Sequence, residues 1–226
     1  MDEILKGAKI QKAALDEQEL ALINGQTLRP MTMDEVYAFR LAACNDQIDR
    51  DNECFTLETL EQLAVLYPGR PVLRDHRWSA DTQTARVYAA GVEPMVGGGK
   101  QLVLRCYMPR LQSNEDTIAA IESGLLRECS VGVMVERVLC SICGADQRKT
   151  YCEHRGGHEY DGQLCHFALD GAYDALEVSL VAVPAQPQAG IIKSKRYGGP
   201  EGLPPAPCDT PSWQDKARLE VENYRF

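Results

Sequence analysis

Three observations predict an α+β domain. Short runs rich in Val, Ile, Tyr and Phe, bounded by turn residues, recur along the chain and read as strands. Between them lie a few segments with apolar residues at helical spacing. A polar, cysteine-rich stretch from Cys140 to His166 interrupts the pattern and has no apolar core of its own.

In chain order, Ala8 to Ile23 is rich in Ala, Leu, Gln and Glu and predicts a helix stopped by Asn24-Gly25. It belongs to an N-terminal extension, residues 1–30. After Arg29-Pro30, Val36 to Ala43 predicts the first strand. The loop Asn45 to Glu53 is acidic, but it lacks the central Gly and terminal Glu of an EF-hand and reads as a solvated turn. Thr56 is placed to cap a helix carrying Leu57, Leu60, Ala64 and Tyr67, ended by Pro68-Gly69. Pro71 to Trp78 predicts a short strand running out into a polar tip. Gln83 to Glu93 and Gln101 to Met108 predict a hairpin joined through Gly97-Gly98-Gly99. Asn114 is the expected cap of a helix through Ile118, Ile121 and Leu125, with Gly124 near its end.

Arg127 to Val135 follows as a strand. Alternation puts Cys129, Val131, Val133 and Val135 on one face and Glu128, Ser130, Gly132 and Met134 on the other. Ser130 thus projects from a rigid element away from the apolar side, and Gly132 leaves room for something to approach closely. Cys129 is a competing nucleophile by chemistry, but it faces the apolar side. Leu176 to Val183 is a further strand, mostly apolar and therefore central. Glu177 within it needs a partner or an exposed edge, because burying an unpaired carboxylate is costly. From Lys193 to Phe226 the chain reads as a Gly/Pro-rich linker and tail, leaving residues 31–192 as the main domain.

A formal net charge of −9 and a pI near 5.0 argue against a nucleic-acid surface, which needs clustered Lys and Arg. No apolar run is long enough to span a bilayer, and residues 1–25 carry charge throughout. A soluble, intracellular protein is expected. The nine cysteines fit reduced thiols rather than a disulfide framework. Cys140-Ser141-Ile142-Cys143-Gly144 has the form of a knuckle, and Cys152-x-His154 offers a second ligand pair. Thiolate and imidazole suit Zn²⁺, so Cys140, Cys143, Cys152 and His154 form the expected structural zinc site. His158 and Cys165 are alternatives to His154 as the fourth ligand.

Several segments together resemble a known family: Ile48-Asp49-Arg50-Asp51 with Phe55-Thr56, Asp75-His76, Gly124 followed by Glu128-Cys129-Ser130-Val131-Gly132, and Glu177 through Pro187. The chain is similar over most of its length to the prohead maturation proteases of tailed bacteriophages, distant relatives of the herpesvirus assemblins. That resemblance implies a mostly antiparallel, barrel-like sheet flanked by helices, here with a zinc-binding insertion at about 140–166. It implies a serine endopeptidase acting inside the procapsid in the host cytoplasm, on scaffold or on the scaffolding part of the major capsid protein. Ser130 takes the position of the nucleophile and His76 that of the general base. Glu177 takes that of the acidic third residue, with Asp75 and Glu128 as rivals. A homodimer is among the expected assemblies; nucleic acid and membrane are not expected partners. The alternative is a non-enzymatic capsid-assembly or scaffold-binding protein with the same fold.

Overall fold

A computed structural model describes residues 15–95, 97–182 and 190–191, all within one unit spanning Gly7–Gly198. The fold is mixed α/β, with a curled, half-barrel-like sheet and three α-helices among these residues. The elements run α1 (Glu17–Asn24), β1 (Val36–Asn45), β2 (Glu53–Phe55), α2 (Leu57–Leu66), β3 (Pro71–Arg74), β4 (Ala85–Pro94), β5 (Lys100–Pro109), α3 (Glu115–Glu122), β6 (Glu128–Cys140), β7 (Glu159–Tyr160), β8 (Gln163–Leu164), β9 (Phe167–Val181) and β10 (Gly190–Ile191). The eight-stranded sheet has the order β2-β9-β3-β4-β5-β1-β10-β6, and β6 also pairs with β9, so the ladder turns back on itself. Most pairings are antiparallel, but β9 runs parallel to both β2 and β3.

Local chemistry explains the elements that the sequence predicts. The Thr56 hydroxyl accepts the Thr59 N–H and so caps α2. That helix lays Leu60, Leu63 and the neighbouring Tyr67, all fully buried, onto the sheet. Burying each leucine contributes about 1.5–3 kcal/mol. Helix α1 ends at Asn24 as expected but begins only at Glu17, because Asp16 is extended and caps it by accepting the Glu19 N–H, so Leu15 and Asp16 are not part of the predicted helix. Ala8 itself, Pro184 to Pro187 and the tail from Lys193 lie outside the described residues.

Three further expectations need correction. Asn114 precedes α3 without capping it: the residue is itself helical, and its amide instead donates to Pro109 O at 2.9 Å and Thr84 O at 3.4 Å. The loop read as solvated is half-buried at Asp49, whose Oδ1 accepts the N–H groups of Asp51 and Glu53, both at 2.9 Å. Its last residue, Glu53, already belongs to β2. Finally, the strand around Glu177 begins at Phe167, nine residues before the apolar run that revealed it. Strands β6 and β9 thereby form one long hairpin, with the cysteine-rich segment at its tip.

Candidate functional site

Strand β9 lies between β3 and β6 and holds the site at its C-terminal end. Glu177 pairs in register with Gly132 of β6, and Ser179 pairs with Ser130. Residues two apart on a strand share a face, and directly opposite residues do so as well. Glu177, Ser179, Ser130 and Gly132 therefore occupy one face. On the other side of β9, Leu73 of β3 is in register with Ser179, and the chain then turns at Asp75 and His76. Both turn residues are left-handed, each with φ of 54°. Two consecutive non-glycine residues in that region carry strain of about 1–3 kcal/mol each. Hydrogen bonds hold them there: Asp75 N–H donates to Leu180 O at 3.1 Å and His76 N–H to Ser179 Oγ at 3.0 Å.

This turn brings the His76 ring over the sheet. Its Nδ1 lies 2.7 Å from Glu177 Oε1, and Ser179 Oγ–H donates to Glu177 Oε2 at 2.6 Å. Glu177 is 1% exposed, whereas the His76 side chain is 43% exposed. A buried carboxylate facing Nδ1 favours the tautomer with the proton there, which leaves Nε2 as an outward acceptor. Gly132 is needed for this packing, because a Cβ at that position would stand 2.5 Å from Glu177 Oε1. Beneath the site, the buried Tyr67 hydroxyl donates to the Glu177 carbonyl at 3.1 Å. Burial pushes the Tyr67 pKa well above its ordinary value, so this group stays a donor.

Of the predicted site residues, His76 and Glu177 meet directly, and Ser130 stands on the adjoining strand, half-buried, on the same face. The Ser130 hydroxyl makes no hydrogen bond among the described residues, so the bond from nucleophile to base is not formed in this conformation. The rival carboxylates lie elsewhere. Asp75 is exposed, and Glu128 sits 3.4 Å from Arg127 Nε. Cys129 is fully buried, donates to Ala42 O at 3.4 Å, and has its thiol pKa pushed up by burial, which makes it a poor nucleophile. Ser179 is the residue that sequence reasoning missed. The available signal was its position two residues after Glu177.

A cleft of about 420 Å³ opens along β6, on the side carrying Cys129 and Val131, and Ser130 and Gly132 contribute to its wall. Asp49, Asp51 and Glu53 line it as well. Burial, reinforced by neighbouring carboxylates, raises the pKa of Glu53, and burial likewise raises that of Asp49. Between Glu128, which pairs with Gly190, and Val138, where residues 145–147 begin to bridge it, the β6 edge turned away from β9 has no strand partner among the described residues.

At the far end of the β6–β9 hairpin, ligand atoms of Cys140, Cys143, Cys152 and His154 lie within 4.8 Å of one another. His154 Nδ1 is buried without a hydrogen-bond partner among the described residues, as expected of an atom reserved for a metal. Burial opposes ionisation of Cys140, but the backbone amides of Cys143 and Ile142 and the thiols of Cys143 and Cys152 outweigh it and bring the pKa down to about 6. The donor set therefore fits a metal ion. His158 is exposed and outside the group, while Cys165 is buried with its Sγ 3.9 Å from Cys140 Sγ. Comparison with known protein families, curated protein sequences and solved structures found no match.

Proposed function

We propose that this chain is a serine endopeptidase of the phage head-maturation type, with Ser130 as nucleophile, His76 as general base and Glu177 as the orienting carboxylate. The observation that carries this reading is the contact of the buried Glu177 with His76 Nδ1, on the sheet face that bears Ser130. Such an arrangement aims a basic nitrogen outward next to a strand-borne hydroxyl. In the proposed reaction, Ser130 Oγ attacks the peptide carbonyl carbon as its proton passes to His76 Nε2. The imidazolium, stabilised by Glu177, returns that proton to the leaving amine as the C–N bond breaks. Water then attacks the acyl carbon as His76 Nε2 takes its proton, and that proton passes to Ser130 Oγ as the C–Oγ ester bond breaks, releasing the acid. Closing the gap between Ser130 and His76 belongs to substrate binding, since such bonds often tighten only in the complex. The stretch of the β6 edge beside the cleft that has no strand partner among the described residues gives an extended peptide a place to pair next to Ser130.

In this reading the curled sheet corresponds to an assemblin-like barrel, and the substrates are scaffold or the scaffolding part of the capsid protein, cut within the procapsid. The metal is Zn²⁺. Four protein ligands leave it no open position for water, so it acts as a staple at the hairpin tip rather than in catalysis. A non-enzymatic assembly role is the second reading, favoured by the missing hydrogen bond at Ser130. Co-expression with a scaffold–capsid substrate separates the two. The wild-type chain is expected to cut the substrate, and Ser130→Ala to leave it intact; equal cleavage by both would refute the assignment.

A further inference from the structure

We infer that Ser179 is a positioning residue for the His76–Glu177 pair, acting on both members through one hydroxyl; this rests on the peptidase reading above. Its Oγ accepts the His76 backbone N–H at 3.0 Å while its proton goes to Glu177 Oε2 at 2.6 Å. The residue is completely buried and in register with Ser130 on the neighbouring strand.

The two bonds do different work. Glu177 Oε1 faces His76 Nδ1, and without a donor at Oε2 a buried carboxylate would keep an unmatched lone-pair side and be free to rotate away from the ring. Ser179 supplies that donor. It is set by the strand period, since residues two apart share a face. The second bond fixes the imidazole from its backbone. His76 stands in a left-handed turn behind Asp75, also left-handed, and the His76 N–H is one of the anchors holding this strained tip against β9. One hydroxyl thus ties the carboxylate rotamer to the backbone that carries the ring, so the two cannot drift independently. A displacement of about 1 Å in such a pair costs on the order of 100-fold in rate. A serine that only filled core space would need neither bond to point at the site.

The test uses the full chain as wild type, Ser179→Ala and Ser179→Thr, with thermal unfolding followed for each. The first readout is the downfield proton resonance of His76 Nδ1–H, assigned by its disappearance in Glu177→Gln. The second is the reaction of Ser130 with a fluorophosphonate probe, resolved into probe affinity and maximal rate of modification. For Ser179→Ala the resonance is expected to be lost to solvent exchange, with the maximal rate falling on the order of 10–100-fold and probe affinity little changed. Ser179→Thr keeps a hydroxyl and is expected to restore both. If Ser179→Ala does not fold, Ser179→Cys, close in volume and a weaker donor, is expected to show the same losses in milder form. A sharp, unshifted resonance with a wild-type rate in the Ala or Cys variant overturns the inference. If the wild type is not modified at Ser130 at all yet the resonance still depends on the Ser179 hydroxyl, the peptidase reading falls while the positioning role stands.

Discussion

At the residue scale, the site depends on a backbone without a side chain. Gly132 lies opposite Glu177, and the space a Cβ would need is taken by the carboxylate. Gly132→Ala is therefore expected to displace Glu177 from His76 and to cost on the order of 1–3 kcal/mol in urea unfolding. Unchanged stability with an intact His76 Nδ1 resonance would contradict this. Gly132 was legible as a place of close approach, but not what approaches. That guest is a side chain 45 positions downstream by number, brought there by pairing that no local pattern encodes. Ser179 was hidden for another reason. Within Val178-Ser179-Leu180 a lone hydroxyl looks like ordinary strand core until its partners are known.

At the scale of elements, the cysteine-rich segment is tied to its own ends. Cys140 closes β6, Cys165 stands two residues before β9, and the knuckle is pinned where Ser141 N–H donates to His166 O at 2.9 Å. A metal bound by Cys140, Cys143, Cys152 and His154 would lock the hairpin tip. Purified protein is expected to contain about one zinc per chain, and a strong chelator to lower the melting temperature on the order of 10 °C. Cys152→Ser should mimic the chelator and Cys54→Ser should not. Zinc-free protein with an unaltered melting temperature would remove the staple. The loop before β2 gives an electrostatic prediction. Glu53 holds its proton more tightly when folded, so its contribution to stability falls as pH rises from the ordinary carboxylate range through its raised value. Glu53→Gln is expected to raise the melting temperature at about pH 7, with the gain fading near pH 4. An equal gain at both pH values would rule out the carboxylate as the cause.

The helix α2 was legible because its cap and apolar spacing are local, whereas the first half of β9 was not. Asp170 and Asp174 break its apolar pattern, yet each has a partner: Asp170 takes Arg137 Nε at 2.7 Å and Asp174 takes Arg70 at 2.6 Å. Gly171 is left-handed, with φ of 74°, and Thr59 and Gln62 of α2 accept the N–H groups of Gly171 and Ala172; the strand bulges just beyond, between Ala172 and Asp174. Asn114 misled because its amide serves two distant carbonyls rather than the helix it precedes.

At the scale of the whole molecule, strand pairing decides which distant segments become neighbours. The hairpin of β4 and β5 was readable from its glycines, but the parallel placement of β3 beside β9 joins segments about 100 residues apart and leaves no trace in local spacing. That placement delivers His76 to Glu177. Among the described residues no helix is long and apolar enough to cross a membrane. The same architecture separates the proposed chemistry, at the β3 end of β9, from the metal cluster at the other end of the hairpin. In the proposed reaction Ser130 is a nucleophile activated by His76. Mass spectrometry of the chain after reaction with a fluorophosphonate probe tests it most directly. A single adduct on Ser130, absent in His76→Ala, is expected; no adduct on Ser130, or one that forms equally fast without His76, would refute the assignment.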